Sequence, residues 1–214
     1  ILEVFILVKY MASKGTQFII IFLLSIGLTK AQSIENLRQE INQVLENKSA
    51  TVGLAIKGVN SKDTISINGD KHLPMQSVFK FHLALAVLHE VDQEKFSLNK
   101  IISINKEKMD TYSHLWSPLR KKYPDGAELT LAEIIKYTVS LSDNLGCDIL
   151  FDLIGGPKVV ETYLHELGIK DITIVHKEID MQAKWERQYE NWTTAIASNQ
   201  VLQLFFENNE RLLC

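Results

Sequence analysis

The segment from Val78 to Leu88 is apolar at nearly every position. Because such a helix has no polar face, the pattern predicts a helix buried on all sides, with Pro74 in its first turn. Lys80 lies inside this segment, where its ammonium loses its hydration and requires a polar partner or a lowered pKa. Ser77 lies three residues earlier, on the same helix face. The pair indicates a serine nucleophile with a lysine base, although Ser-x-x-Lys alone is a common chance pattern.

Composition sets limits on the kind of protein. The chain has 214 residues, of which 46% are hydrophobic, enough for one large domain or two small ones. The formal charge is −3 without a basic stripe, which argues against a nucleic-acid partner. The six histidines lack the paired spacing of metal ligands, so we expect no metal. Two cysteines form no disulfide framework, and we expect Cys147 to be a buried free thiol.

The beginning of the chain has the pattern of an export signal. Residues 1–10 are interpreted as upstream reading frame, with Met11 as the true start. Lys14 supplies a positive end, and Phe18–Leu28 is an apolar run too short to span a bilayer comfortably. We expect cleavage before Gln32 and a periplasmic mature protein. An uncleaved membrane anchor is the alternative.

Periodicity predicts elements along the rest of the chain. A helical stripe over residues 34–45 predicts a surface helix, and β-branched runs at 51–57 and 63–68 predict a hairpin. Residues 92–128 are polar and are interpreted as loop-rich. Residues 169–193 show no period and are interpreted as a long irregular loop with a function.

Capping residues predict the ends of further helices. The chain should therefore have a mostly helical middle, with strands at one end only. The signals are a capping box over Thr130–Glu133, Gly155-Gly156 after an apolar helix, Gly168 after a helix over residues 157–167, and Thr193 or Thr194 before a last helix.

A second motif, Ser142-Asp143-Asn144, follows Ser77 and Lys80 by some sixty residues. The two motifs together resemble the class A serine β-lactamases. The resemblance extends over about residues 34–207 and is closest to the PER/VEB-type extended-spectrum branch. The matching segments are Met75–Phe79 with Lys80, Tyr137–Ser140, Ser142–Asp148 and Gln188–Trp192.

The resemblance implies a role for each matching residue. Ser77 would be the acylated nucleophile, and Lys80 its proton acceptor or relay. Ser142 would pass a proton to the leaving β-lactam nitrogen. Asn144 would bind the side-chain amide of the substrate, and Trp116 would form an aromatic shelf beside the cleft, although a core or surface tryptophan is an equal alternative.

The resemblance also implies a deacylating base, Glu178, and the alternative is a solvated loop carboxylate. This chain departs from the wider family nearby. Gln182 stands where an asparagine usually helps to hold the water that attacks the ester. Its amide is carried on a longer side chain than that of asparagine. His176 and Asn191 stand where an Arg–Asp ion pair usually closes the loop, and they form no permanent ion pair. Asp148 replaces the usual asparagine near the loop.

The fold that the resemblance implies is α/β plus all-α, in the two-domain arrangement of serine β-lactamases and DD-peptidases. The family's Lys-Thr-Gly strand, which supplies one oxyanion N–H group, is not found before Cys214. We therefore expect a chain that is missing its C-terminal strands and is inactive as given. The expected divisions are 1–31 for upstream residues and signal, 32–73 for the first part of the α/β domain, 74–193 for the all-α domain with the active-site loop, and 194–214 for the start of the truncated C-terminal part.

The resemblance implies hydrolysis of penicillins and cephalosporins by a monomer, with water and a β-lactam as its only partners and no cofactor. Three alternatives remain. A penicillin-binding peptidase shares the serine and lysine motifs, but Glu178 argues against it. A β-lactam sensor that stays acylated would need a membrane anchor. The chain could also be an inert fragment.

Overall fold

The computed structural model describes residues 33–59 and 62–207. The described residues form two compact units, one within Ile1–Val52 and Ile56–Ile65, the other within Gly53–Ala55 and Ser66–Cys214. The helices are α1 (33–46), α2 (Phe79–Asp92), α3 (Lys106–Thr111), α4 (Pro118–Lys122), α5 (Leu131–Ser140), α6 (Asn144–Ile154), α7 (Pro157–Glu166), α8 (Glu178–Ala183) and α9 (Ala195–Glu207). The strands are β1 (Leu54–Lys57), β2 (Thr64–Ile67), β3 (Leu73–Pro74), β4 (Ile101–Asn105), β5 (Gly126–Thr130), β6 (Ile172–Thr173) and β7 (Trp192–Thr193).

Helix α1 and the β1–β2 hairpin confirm the predictions for the beginning of the described chain. Leu37 and Val44 of the predicted apolar stripe are exposed, so α1 buries only part of that stripe. The backbone N–H of Gly58 donates to Asp63 across the turn of the hairpin. Both strands are shorter than predicted: residues 51–53 lie before β1, and Asp63 and Asn68 flank β2.

Helix α2 lies at the centre of the larger unit and packs against α5, α6 and α7. Its residues Phe79, Lys80 and His82 through Val87 are buried, which confirms the predicted buried helix. Pro74 was expected in the first turn, but it pairs with Trp192 in a strand. Ser77 lies in a short 3₁₀ turn, Gln76–Val78, that leads directly into α2.

The prediction of a loop-rich region over residues 92–128, with strands at one end only, is wrong. Strands β4 and β5 pair antiparallel there, from Ile101 opposite Thr130 to Asn105 opposite Gly126. The sequence Gly-Ala-Glu-Leu-Thr of β5 has little strand propensity of its own. It becomes a strand because β4 supplies its hydrogen-bond partners, and tertiary context overrides propensity.

The segment over residues 169–193, predicted to be irregular, contains β6, α8, a 3₁₀ turn over Trp185–Tyr189 and β7. These elements have two to six residues each, which is too short for a period to be visible in the sequence. Strand β7 pairs with β3 on one side and β6 on the other. The end of the loop is thereby attached to the segment that precedes Ser77.

The predicted helix ends are confirmed. Thr130 and Glu133 form the capping box of α5, and Gly155 follows α6 with a φ of 99° that favours glycine. Thr194 caps α9, since its Oγ1 accepts a hydrogen bond of 3.0 Å from Ala197 N. Cys147 is a buried free thiol, as predicted.

In the ranges 33–59 and 62–207, no helix combines the length and apolar character needed to cross a membrane. The predicted export signal, at residues 11–31, and Cys214 lie outside the described residues.

Candidate active site

The structure brings Ser77, Lys80, Ser142 and Asn144 together. The ammonium of Lys80 donates to Ser77 Oγ at 3.1 Å, to Ser142 Oγ at 3.1 Å and to Asn144 Oδ1 at 2.6 Å. It also lies 2.9 Å from the carbonyl oxygen of Ser142. Ser142 Oγ in turn donates to Ser77 Oγ at 2.9 Å. Lys80 is only 2% exposed, so these oxygens replace its lost hydration shell.

The buried carboxylate of Asp143 holds the loop that carries Ser142 and Asn144. It accepts hydrogen bonds from Ser117 Oγ, from Leu119 N at 2.7 Å and from Gly146 N at 2.8 Å. The last of these bonds caps the N-terminus of α6. Ser142 has a φ of 54°, a left-handed conformation that is strained for a serine. The Asp143 anchor stabilises this conformation, which turns Ser142 Oγ toward Ser77.

Glu178, the first residue of α8, completes the group of four expected catalytic side chains. Its Oε1 lies 2.9 Å from Lys80 Nζ, and it is only 5% exposed. The distance is that of an ion pair, although the angle is poor for a hydrogen bond. The contact is therefore electrostatic, and Glu178 is a partner of the buried ammonium and not a solvated loop carboxylate.

Asp148, on α6, positions the backbone of Glu178. Its Oδ1 accepts from Glu178 N at 2.8 Å, and its Oδ2 accepts from Ile179 N at 3.0 Å and from the Tyr112 hydroxyl at 2.7 Å. Burial raises the pKa of Asp148 to about 6, although the three hydrogen bonds oppose that shift. Burial and the nearby Asp148 carboxylate raise the pKa of Tyr112.

The loop that carries Glu178 is closed by Asn191. Its Oδ1 accepts from Val175 N at 2.8 Å and from His176 N at 2.9 Å, and its Nδ2 donates to His176 O at 2.8 Å. His176 and Asn191, expected to form no permanent ion pair, are joined by two hydrogen bonds between the backbone of His176 and the side chain of Asn191. An amide can replace an ion pair here because it has both a donor and an acceptor. The His176 imidazole instead contacts Glu190 Oε2 at 2.7 Å.

Two further expected residues lie outside the cluster around Lys80. Trp116 is 55% exposed, and its indole N–H donates to Leu141 O at 3.1 Å. Its own carbonyl oxygen accepts from Asn144 N at 3.1 Å. Gln182 is exposed one turn after Glu178 on α8.

Sequence reasoning missed Tyr112, Gln76 and Gln188. Gln76, directly before Ser77, has a φ of 45°, and its Nε2 donates to Gln188 Oε1 at 2.7 Å. Gln76 is separated from Gln188 by 112 residues, and Tyr112 from Asp148 by 36. Such contacts leave no local pattern in a single sequence.

His82, which is buried in α2, has a hydrogen-bond partner for one of its two ring nitrogens. Nδ1 lies 3.0 Å from Val78 O, and burial lowers the pKa of His82 to about 4. The ring is therefore neutral, and Nδ1 donates. Within the described ranges, His82 Nε2 and Thr138 Oγ1 are buried without a hydrogen-bond partner. Both residues line a cavity of about 230 Å³ that extends to Ser77. No group of three potential ligands for a metal occurs within residues 33–59 and 62–207.

The cluster has the parts required for acyl transfer. A serine hydroxyl contacts an amine and a second hydroxyl, and a carboxylate lies next to the amine. Such an arrangement can remove a proton from the serine, pass a proton to a leaving group, and activate a water.

Comparison with known proteins identifies the family. The profile described as "Beta-lactamase enzyme family" matches residues 36–210. The chain belongs to this family. It is 43% identical over 198 residues to β-lactamase VEB-1 of Pseudomonas aeruginosa, covering 91% of this chain and 66% of VEB-1. It is 36% identical over 206 residues to the extended-spectrum β-lactamase PER-1 of the same species, covering 96% of this chain and 65% of PER-1.

Solved structures agree with this assignment. A β-lactamase from Chitinophaga pinensis has a TM-score of 0.79 and 44% identity, covering 83% of this chain and 64% of that protein. The fold is therefore the mixed α/β and helical fold of class A β-lactamases. Within that family, the chain is similar to the PER/VEB branch. The chain spans about two thirds of the length of the curated relatives VEB-1 and PER-1.

The raised pKa of Asp148 predicts a pH effect on stability. A buried carboxyl with a raised pKa contributes most to folding below its unfolded value, about 3.9, and loses that contribution as the pH rises through about 6. The substitution Asp148→Asn removes this titration. The difference in unfolding free energy, wild type minus variant, should therefore decrease between pH 4 and pH 7 in urea titrations. The exposed Asp110→Asn is the control, and parallel pH profiles for wild type and Asp148→Asn would contradict the assignment.

Proposed function

We propose that the protein hydrolyses β-lactams, penicillins and cephalosporins, through an acyl-Ser77 intermediate without a cofactor. The observation that carries the proposal is the buried Lys80 ammonium, which contacts Ser77, Ser142 and Glu178 at 2.9–3.1 Å. Membership of the β-lactamase family supports the substrate class.

In acylation, Ser77 Oγ attacks the β-lactam carbonyl carbon, and its proton leaves to Lys80. Lys80 accepts this proton either as a free amine or as a relay, in which its ammonium first gives a proton to the Glu178 carboxylate, 2.9 Å away. The carbon–nitrogen bond of the lactam then breaks. Ser142 passes its proton to the leaving nitrogen and regains one from Lys80, 3.1 Å away.

In deacylation, the Glu178 carboxylate accepts a proton from a water whose oxygen attacks the ester carbonyl carbon. The bond between that carbon and Ser77 Oγ then breaks, and Ser77 Oγ regains a proton through Lys80, 3.1 Å away. The burial of Glu178 favours this role, because a carboxylate shielded from bulk solvent acts on a water that is bound next to it. Gln182 helps to hold that water from its position one turn further along α8.

Substrate binding is assigned to Asn144 and Trp116. Asn144 Oδ1 accepts a hydrogen bond from Lys80. The amide nitrogen of Asn144 therefore remains to donate to a substrate carbonyl. Trp116 is exposed, with its ring edge held by Leu141 O, and presents an apolar face to the substrate side chain. A penicillin-binding peptidase, which shares the Ser77 and Ser142 motifs, is disfavoured because Glu178 is seated against Lys80.

We assign residues 32–73 to the first part of the α/β domain, 74–193 to the helical domain with the active-site loop, and 194–214 to the start of the C-terminal part. Within the larger unit, α9 contacts the beginning of β1, because Asn199 Nδ2 donates to Ala55 O at 3.2 Å. The mature protein acts in the periplasm as a monomer.

Two variants separate the chemical steps, with the protein expressed from its complete reading frame. Ser77→Ala should abolish acylation, since no nucleophile remains. Glu178→Ala should acylate and then accumulate acyl-enzyme, because Lys80 as a free amine can still accept the Ser77 proton, whereas the attack of water has lost its base. The mass of the protein after mixing with a penicillin reports both results. Glu186→Ala, an exposed carboxylate of the same loop, is the control and should turn over normally. Normal turnover by Glu178→Ala would refute the base assignment, and a persistent acyl-enzyme in the wild type would favour a sensor.

The export proposal is tested separately. The pattern of Lys14, Phe18–Leu28 and Ala31 predicts that the mature protein begins near Gln32. N-terminal sequencing of the protein from the periplasmic fraction checks this. Membrane-bound protein that retains residues 11–31 would show that the segment is an anchor instead.

A further inference from the structure

Two rows of contacts connect α3, α6 and the beginning of α8. Asp148 and Asp152 lie four residues apart on α6 and therefore share a face. Tyr112 and Lys108 have the same spacing at α3. The inner row runs from Tyr112 through Asp148 to the backbone N–H groups of residues 178 and 179. The outer row runs from Lys108 through Asp152 to Lys177.

The outer row consists of charged side chains only. Asp152 Oδ2 lies 3.2 Å from Lys108 Nζ, and Asp152 Oδ1 lies 2.7 Å from Lys177 Nζ. One carboxylate thus joins two ammonium groups, one from α3 and one from the residue that directly precedes Glu178.

We infer that Lys177, Asp152 and Lys108 are positioning residues that hold the beginning of α8, and with it Glu178, against α6. This inference rests on the proposed function, in which Glu178 is the general base for deacylation. None of the three side chains contacts the Ser77 cluster, so they act through the backbone. The inner row fixes the N–H groups of residues 178 and 179, and the outer row fixes the residue before them.

The exposure of the outer row limits how large its effect can be. The side chains of Lys108, Asp152 and Lys177 are 37%, 46% and 27% exposed. Lys108 and Asp152 also line an open groove of about 630 Å³ beside β4. An exposed ion pair shifts an equilibrium by less than about fivefold and is screened by salt. Because Asp152 serves both lysines, we expect an effect of about two- to fivefold that weakens with ionic strength.

The direction of the effect follows from where Lys177 lies. Without the outer row, the beginning of α8 keeps its hydrogen bonds to Asp148 but loses one attachment to α6, so this segment opens more often. Each opening moves the Glu178 carboxylate away from Lys80 and from the attacking water. Deacylation should slow, whereas acylation, which depends on Ser77 and Lys80 on α2 and its preceding turn, should change less.

The test compares Lys177→Met with Lys106→Met in protein from the complete reading frame. Lys106, on the same helix as Lys108, loses a more exposed ion pair with Asp110, whose side chains are 60% and 64% exposed, and has no contact with α8. For Lys177→Met we expect two- to fivefold faster amide exchange in residues 177–183 and a similar fall in the deacylation rate at low salt. Lys177→Arg should restore both. In the wild type, high salt should slow deacylation toward the value of Lys177→Met.

Equal behaviour of Lys177→Met and Lys106→Met would overturn the inference, as would faster exchange without slower deacylation. A loss of global stability without local exchange would identify a purely structural pair. The exchange measurement requires no turnover. If the wild type fails to acylate or deacylate with a chromogenic cephalosporin, the proposed function fails instead.

Discussion

The buried ammonium of Lys80 is the interaction on which the rest of the site depends. An isolated ammonium inside an apolar helix would cost several kcal/mol, because its hydration is lost. The structure offsets this cost with oxygen atoms from Ser77, Ser142 and Asn144 and with the carboxylate of Glu178. These same groups are the ones that acyl transfer requires. The contacts that compensate the buried charge of Lys80 are therefore the same contacts that assemble the proposed catalytic cluster.

Helix α6 connects the site around Lys80 to the two loops that carry Ser142 and Glu178. Asp143 caps its N-terminus and fixes Ser142, and Asn144 begins the helix. One turn further along α6, Asp148 accepts a hydrogen bond from the backbone N–H of Glu178. Two acidic residues of one segment therefore position the groups that contact Lys80. Asp143 holds Ser142 and Asn144, and Asp148 holds Glu178. A rigid helix is well suited to this, since it keeps the distance between the two anchors constant.

Part of this arrangement could be predicted from the sequence. The spacing of Ser77 and Lys80, the capping box at Thr130 and the glycine after α6 are local signals, and the structure agrees with each. The family motifs added Ser142 and Glu178, which no periodicity links to Lys80. Local signals work where neighbouring residues determine the conformation.

The remaining features depend on contacts between distant residues. Strand β5 requires β4, and the two-residue strands β6 and β7 exist only through pairing. The double hydrogen bond between His176 and Asn191 was not predicted. An amide side chain that bonds to backbone groups leaves no charge pattern in the sequence. Gln76 was overlooked because its left-handed φ is imposed by its surroundings and not by its residue type.

The central claim, that Lys80 and Glu178 are stable in the interior because each compensates the other, is tested most directly by a double-mutant cycle. The unfolding free energies of wild type, Lys80→Met, Glu178→Gln and the double variant would be measured in denaturant. Each single variant leaves a buried charge without its partner, and the double variant leaves none. The account predicts that the double variant costs less than the sum of the single variants, by more than about 1 kcal/mol. Costs that add within about 0.5 kcal/mol would contradict it.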